Sequence, residues 1–134
     1  MKRLLDTTVL VDLLRGDDDV RRRLEAEDPA DLAISTVTVS ELLTGATLAA
    51  DTHRELFAVE LAIRPLRQLP LDGPSARRAG LIKALLDRQG TPIGVADRLI
   101  AATALEHDAV VVTSNAREFA RVPSLITEDW RAPV

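Results

Sequence analysis

Asp6, Glu41, Asp97 and the Asn115–Glu118 segment are the places in this sequence where carboxylate chemistry can gather. Asp6 ends the apolar run Leu4-Leu5, and Thr7 and Thr8 follow it before Val9-Leu10-Val11 restarts the apolar pattern. A strand that ends in Asp-Thr-Thr and turns into a helix leaves its carboxylate at the mouth of a sheet, the edge where open parallel sheets bind ligands. Three or four carboxylates in one cleft do not all stay ionised without a cation. The chain has no cysteine and only two histidines, which excludes thiolate zinc, cysteine catalysis and any three-histidine site. A hard ion that prefers oxygen, Mg²⁺ or Mn²⁺, is the matching choice. Such an ion polarises a phosphate, lowers the pKa of a bound water and orients in-line attack. The chemistry in view is phosphodiester hydrolysis that needs neither a serine nucleophile nor a histidine base.

Each position also has an ordinary structural role. Glu41 follows Thr36 and Thr38, either of which can cap a helix, and a capping-box glutamate is one reading of it. Asp97 falls in the first turn of a helix, where an acidic side chain complements the dipole. Asp17-Asp18-Asp19 is read as a helix cap rather than a metal site. His53 sits among Asp, Thr, Arg and Glu and is expected on the surface, while His107 follows an apolar helix and suits its C-terminal end.

The elements that must position these residues alternate between strand and helix. Lys2–Asp6 is the first strand, with helices over Thr8–Arg15 and Asp17–Glu27. Leu32–Ser35 is the second strand, followed by a helix carrying Glu41 and another over Asp51–Ile63. Pro65–Pro70 is a third, proline-bounded edge strand. Asp72-Gly73-Pro74 opens a long helix to Arg88 with Ala76, Ala79, Ile82, Leu85 and Leu86 inward. Val95–Glu106 is a helix, apolar nearly all round and therefore buried. Ala109–Thr113 is an inner strand, Ser114–Phe119 a loop and short helix, and Val122–Ile126 a last edge strand. The alternation predicts an α/β/α sandwich with a mainly parallel sheet of four to five strands. Its 134 residues fit one domain, 1–134, with no repeat or linker.

Composition narrows the function further. Apolar residues make up 46% of the chain but aromatics only 2%, so the core is aliphatic and offers no stacking platform for bases. The net charge of −4 argues against general attraction to nucleic acid. All but Lys2 and Lys83 of the 17 basic residues are arginine, which leaves room for a local phosphate-holding patch. No signal-type apolar region precedes Asp6 and no apolar run reaches spanning length, so a cytoplasmic protein is expected.

Four blocks occur in an order and spacing that resemble one family. They are Leu5–Gly16 (LDTTVLVDLLRG), Ser35–Gly45 (STVTVSELLTG), Pro92-Ile93-Gly94 leading to Asp97–Leu105 (DRLIAATAL), and Val112–Pro123 (VTSNAREFARVP). Together they resemble, over the whole chain, the PIN-domain ribonucleases, and among these the VapC toxins of bacterial type II toxin–antitoxin modules. The resemblance implies a single PIN domain and a Mg²⁺-dependent endoribonuclease, with Asp6, Glu41 and Asp97 in the family's first three acidic positions. At the fourth position this chain carries Asn115 where many relatives have Asp, and Glu118 stands one helical turn on. Thr7 and Thr113 are implied beside the metal. The resemblance also implies an RNA substrate, a homodimer, and a VapB-type antitoxin that covers the cleft and brings operator DNA. For that partner the early helices offer Leu10, Leu13, Leu14, Leu43, Leu48 and Phe57, read as an exposed apolar groove for a segment bearing an arginine.

Two other classes compete. A phosphatase that uses an aspartyl nucleophile after its first strand needs a second Asp where this chain has Thr8, and a lysine for which only Lys2 and Lys83 exist. A PIN fold that serves only as a binding scaffold would have lost its acids, and here the first three stand.

Overall fold

In the computed structural model, which describes residues 1–131, five short strands form one parallel sheet. β1 (Arg3–Leu5), β2 (Leu32–Ser35), β3 (Arg67–Leu69), β4 (Val110–Val112) and β5 (Thr127–Glu128) stand in the order β3-β2-β1-β4-β5. Every neighbouring pair is parallel. The chain builds outward from β1 to β3, then crosses back and adds β4 and β5 on the other side. The reversal falls between β1 and β4, where a crevice opens at the carboxyl ends of the strands.

Seven helices cover the sheet: α1 (Thr7–Leu14), α2 (Asp18–Ala26), α3 (Thr36–Leu48), α4 (Thr52–Ile63), α5 (Gly73–Gln89), α6 (Val95–Glu106) and α7 (Ala116–Phe119). Side chains alternate across each strand, so successive residues feed opposite layers. Leu4, Ala33 and Val111 pack with α5, α6 and Phe119, whereas Leu5, Ile34 and Val112 pack with α1 to α4. The result is the three-layer α/β/α sandwich that the alternation of strands and helices predicts. In α6, Ile100 to Ala104 are all buried, as an all-round apolar helix requires.

Several local expectations change. The last strand is Thr127–Glu128, while 122–126 form a turn in which Pro123 has no N–H to give and Ser124 takes a φ of 67°. The cap of α3 is Ser35, whose hydroxyl accepts from Val37 N at 3.0 Å, and neither Thr36 nor Thr38 holds that position. β2 runs into α3 without a loop, so the final strand residue must serve as the cap. In α5, Ser75 is buried and Ala76 exposed, because capping by Asp72 sets the phase that lines up Ser75, Ala79, Ile82 and Leu86. Leu10 is fully buried, so it belongs to the core and not to a groove. His53 is exposed, and the His107 ring nitrogen lies 2.8 Å from the Thr103 carbonyl at the end of α6.

Candidate active site

β1 delivers Asp6 to the crevice as the residue that ends the strand and caps α1. Its side chain is 1% exposed and accepts three hydrogen bonds. Thr7 N donates to Oδ1 at 2.7 Å, and the Thr8 and Thr113 hydroxyls donate to Oδ2 at 2.9 and 2.8 Å. Burial pushes the Asp6 carboxyl above its ordinary range; the Thr113, Thr8 and Thr7 donors pull against that rise, and the charge of Glu41 adds to it.

Glu41 lies on α3 facing α1. Thr7 Oγ1 donates to its Oε1 at 2.6 Å, and the buried Thr38 hydroxyl is 3.1 Å from that same oxygen of Thr7. The first turn of α3 holds no acidic residue, so the capping-box reading of Glu41 falls away. Thr7 thus supports two carboxylates, Asp6 through its backbone and Glu41 through its side chain.

Asp97 stands in the first turn of α6, whose N-cap, Gly94, supplies no side-chain bond. Its carboxyl is pushed up to about 7, chiefly by burial, then by the charges of Asp6 and Glu118, by a hydrogen bond with Glu118, and by Glu41. Glu118 behaves oppositely. Gly94 N donates to its Oε1 at 2.8 Å and Asn115 Nδ2 to its Oε2 at 2.7 Å, and these donors hold the carboxyl below its ordinary value. The two acids flank Gly94 so closely that a Cβ there would lie 3.9 Å from both Asp97 Oδ2 and Glu118 Oε1.

All four carboxylates therefore share one cleft, with Asp97 electrostatically at its centre. Asn115 is present too, with its amide turned onto Glu118. Among the described residues no three acidic or histidine side chains close on one point as a finished cage. The donor set is nonetheless oxygen throughout, and Asp97, raised first by burial and then by the charges of its acidic neighbours, makes it a set whose chemistry fits a hard divalent cation. Of the expected supporting pair, Thr113 bonds to Asp6 and Thr7 to Glu41. Sequence reading missed Thr8, Gly94 and Ser114; a hydroxyl two residues beyond Asp6 was the one signal available for Thr8.

The PIN domain model matches residues 3–125, and the chain belongs to the PIN-domain family, in its VapC branch. It is 36% identical to the tRNA(fMet)-specific endonuclease VapC of Salmonella typhimurium over 97% of this chain and 98% of that protein. It is 33% identical to ribonuclease VapC2 of Haemophilus influenzae, again over 97% and 98%. Among solved structures, the DNA-bound VapBC of Salmonella typhimurium superposes with a TM-score of 0.92 at 37% identity, covering 97% and 98% of the two chains. VapBC2 of Rickettsia felis, bound to a DNA fragment from its promoter, gives 0.91 at 27% identity over 97% and 99%.

Proposed function

We propose that this chain is the toxic endoribonuclease of a type II toxin–antitoxin module, cleaving RNA phosphodiester bonds in the cytoplasm. The observation that carries the reading is the shared cleft of Asp6, Glu41, Asp97 and Glu118, in which Asp97 is driven up to about 7. Asp6, Asp97 and Glu41 would hold Mg²⁺, or Mn²⁺, with Glu118 completing the set. Bound there, the ion supplies a water of lowered pKa and a polarised phosphate. The chain's own part is to fix the geometry. Thr8 and Thr113 aim Oδ2 of Asp6, Thr7 aims Glu41, and Gly94 with Asn115 aims Glu118. Arg121, whose charge helps lower the Glu118 carboxyl, offers a cation for a flanking phosphate on a chain of net charge −4.

A groove of about 450 Å³ opens beside Glu41 between α1, α3 and α4, walled by Val11, Leu14, Leu42 and Val59 with Arg15 and Glu55 at its rim. It suits an aliphatic anchor of a VapB-type antitoxin, with a following arginine that reaches the carboxylates in place of the metal. Operator DNA would then be bound through the antitoxin. A homodimer would cover some of the exposed apolar side chains, among them Leu48, Phe57, Leu81 and Val95.

The test is cleavage of pooled RNA, initiator tRNA included, with Mg²⁺ and with excess EDTA, for wild type, Asp6→Asn and Asp97→Asn. Cleavage confined to wild type with metal is expected. Full activity in either variant, or in EDTA, overturns the mechanism. Folded wild type that binds metal and antitoxin yet cuts nothing would favour the scaffold reading.

A further inference from the structure

The segment from Thr127 to Arg131 runs beside β4 up to the edge of the acidic cleft and is fastened along its length. Thr113 N donates to the Glu128 carbonyl at 2.9 Å. Trp130 is buried, with the Arg23 guanidinium 5.3 Å from its ring centroid. Arg131 is braced by Asp129, its backbone N at 2.9 Å from Oδ1 and its Nη2 at 3.1 Å from Oδ2, and it donates through Nη2 to the Ser114 carbonyl at 2.9 Å. From the other side, Ser114 Oγ donates to Asp12 Oδ2 at 2.6 Å and Ser114 N donates to Thr8 Oγ1 at 3.0 Å. The amide, hydroxyl and carbonyl of Ser114 are therefore all bonded, two of them to α1 and one to the C-terminal segment.

Ser114 separates two residues that hold the acids: Thr113, which bonds Asp6, and Asn115, which bonds Glu118. We propose that Asp12, Ser114 and Arg131 are positioning residues that clamp the loop after β4, fixing Glu118 relative to Asp6. None of the three touches the acidic set. The need for a clamp follows from α7, which is only four residues long. A single helical turn has little stability of its own, so Glu118 is placed by its neighbours, and the bond from Asn115 holds it only as well as the loop that carries Asn115 is pinned. Metal affinity depends on such outer partners, whose loss typically costs about 10- to 100-fold. Asp12 is neighbour to Val11, so one helix both walls the groove and pins the loop. The inference rests on the reading of the cleft as a metal site.

The full chain is titrated with Mn²⁺ alone by calorimetry, and amide hydrogen exchange is followed over residues 113–118, for wild type, Ser114→Ala, Ser114→Thr, Asp12→Asn and Arg131→Ala. Ser114→Ala is expected to weaken Mn²⁺ binding about tenfold and to speed exchange at Asn115 to Glu118, and Asp12→Asn, which exchanges a charged acceptor for a weaker neutral one, shifts both in the same direction by less. Arg131→Ala does the same to a smaller degree, and Ser114→Thr, which keeps the hydroxyl, retains affinity. Wild-type affinity and exchange in Ser114→Ala, Asp12→Asn and Arg131→Ala overturn the clamp, as does a lowered melting temperature with unchanged affinity. If Ser114→Ala does not fold, Asp12→Asn and Arg131→Ala carry the same readouts. Wild type that binds no Mn²⁺ overturns the metal reading instead, and the exchange rates then still decide whether the loop is clamped.

Discussion

Asn115 Nδ2 donates to Glu118 Oε2 at 2.7 Å, so Asn115 spends its amide on the acid one helical turn further on. An aspartate could not make that bond while ionised. Glu118→Gln is expected to lower Mn²⁺ affinity and RNA cleavage by about 10- to 100-fold. Asn115→Ala releases one oxygen of Glu118 and costs about tenfold. Asn115→Asp sets two carboxylates against each other and weakens the metal-free fold at neutral pH, where both are ionised. Kinetics and metal titration of the three variants check this; a silent Glu118→Gln beside a damaging Asn115→Ala would transfer the role to Asn115.

Stability of the metal-free protein is expected to fall as pH rises toward neutrality. The Asp97 carboxyl is raised from 3.8 to about 7, so between those values the folded chain keeps a proton that the unfolded chain gives up. Asp6 is raised as well and acts in the same direction. Glu118 is lowered from 4.5, and its contribution is present above that value and disappears only as pH falls through its depressed folded pKa. Melting temperature measured without metal should therefore drop from about pH 5 to about pH 8. Asp97→Asn should melt higher near neutral pH and lose most of that slope. A wild-type melting temperature independent of pH would contradict the assignment.

Thr113→Val keeps the shape of a buried side chain and removes a donor to Asp6 Oδ2. The loss of one hydrogen bond to a buried carboxylate is expected to cost about 1–3 kcal/mol at neutral pH. Thr8→Val removes the other hydroxyl donor to the same oxygen. The two effects should not add, because both hydroxyls serve one atom. Denaturant unfolding of the single and double variants measures the coupling.

The groove and the core separate cleanly by substitution. Leu10→Asp should unfold the chain, since Leu10 is fully buried. Phe57→Asp, at a side chain 66% exposed, should leave the melting temperature nearly unchanged, while Leu14→Asp, half-buried on the groove wall and packed against the core, should lower it without unfolding the chain. Leu14→Asp should also lower affinity for an antitoxin peptide by about tenfold or more, the scale of a lost anchor contact. Pull-down and calorimetry with the peptide decide; dissociation of a dimer on Phe57→Asp would place that residue in a self-contact.

The strand-to-helix passages that hold Asp6 and Glu41 were legible because an apolar run breaks at a polar residue and a helical period follows at once. α6 was legible because the nearly all-apolar run Leu99–Leu105 leaves no polar face, and five consecutive residues of it are buried. What could not be read depends on rotation and on distant partners. Whether Thr7 or Thr8 faces Asp6 is set by how α1 leaves the strand, and both serve, one through its amide and one through its hydroxyl. Leu10 counts as available only if α1 buries a single stripe. α1 in fact packs against α2, α3 and α4, which encloses more than one side of it. Val122–Ile126 has the composition of a strand, yet Pro123 and Ser124 turn the chain and postpone pairing to Thr127. The bond from Arg131 to Ser114 joins residues 17 apart and leaves no local signal.

The chain contains one tryptophan and no tyrosine, and that tryptophan is Trp130, inside the C-terminal strap. Its indole is buried at 2% exposure and lies under a guanidinium, and its Nε1 has no hydrogen-bond partner among the described residues. Intrinsic emission from this protein is thus a single-site optical probe, silent about the rest of the molecule. Peeling of the Thr127–Arg131 segment from the sheet would register as a red shift and altered quenching, without any label being introduced.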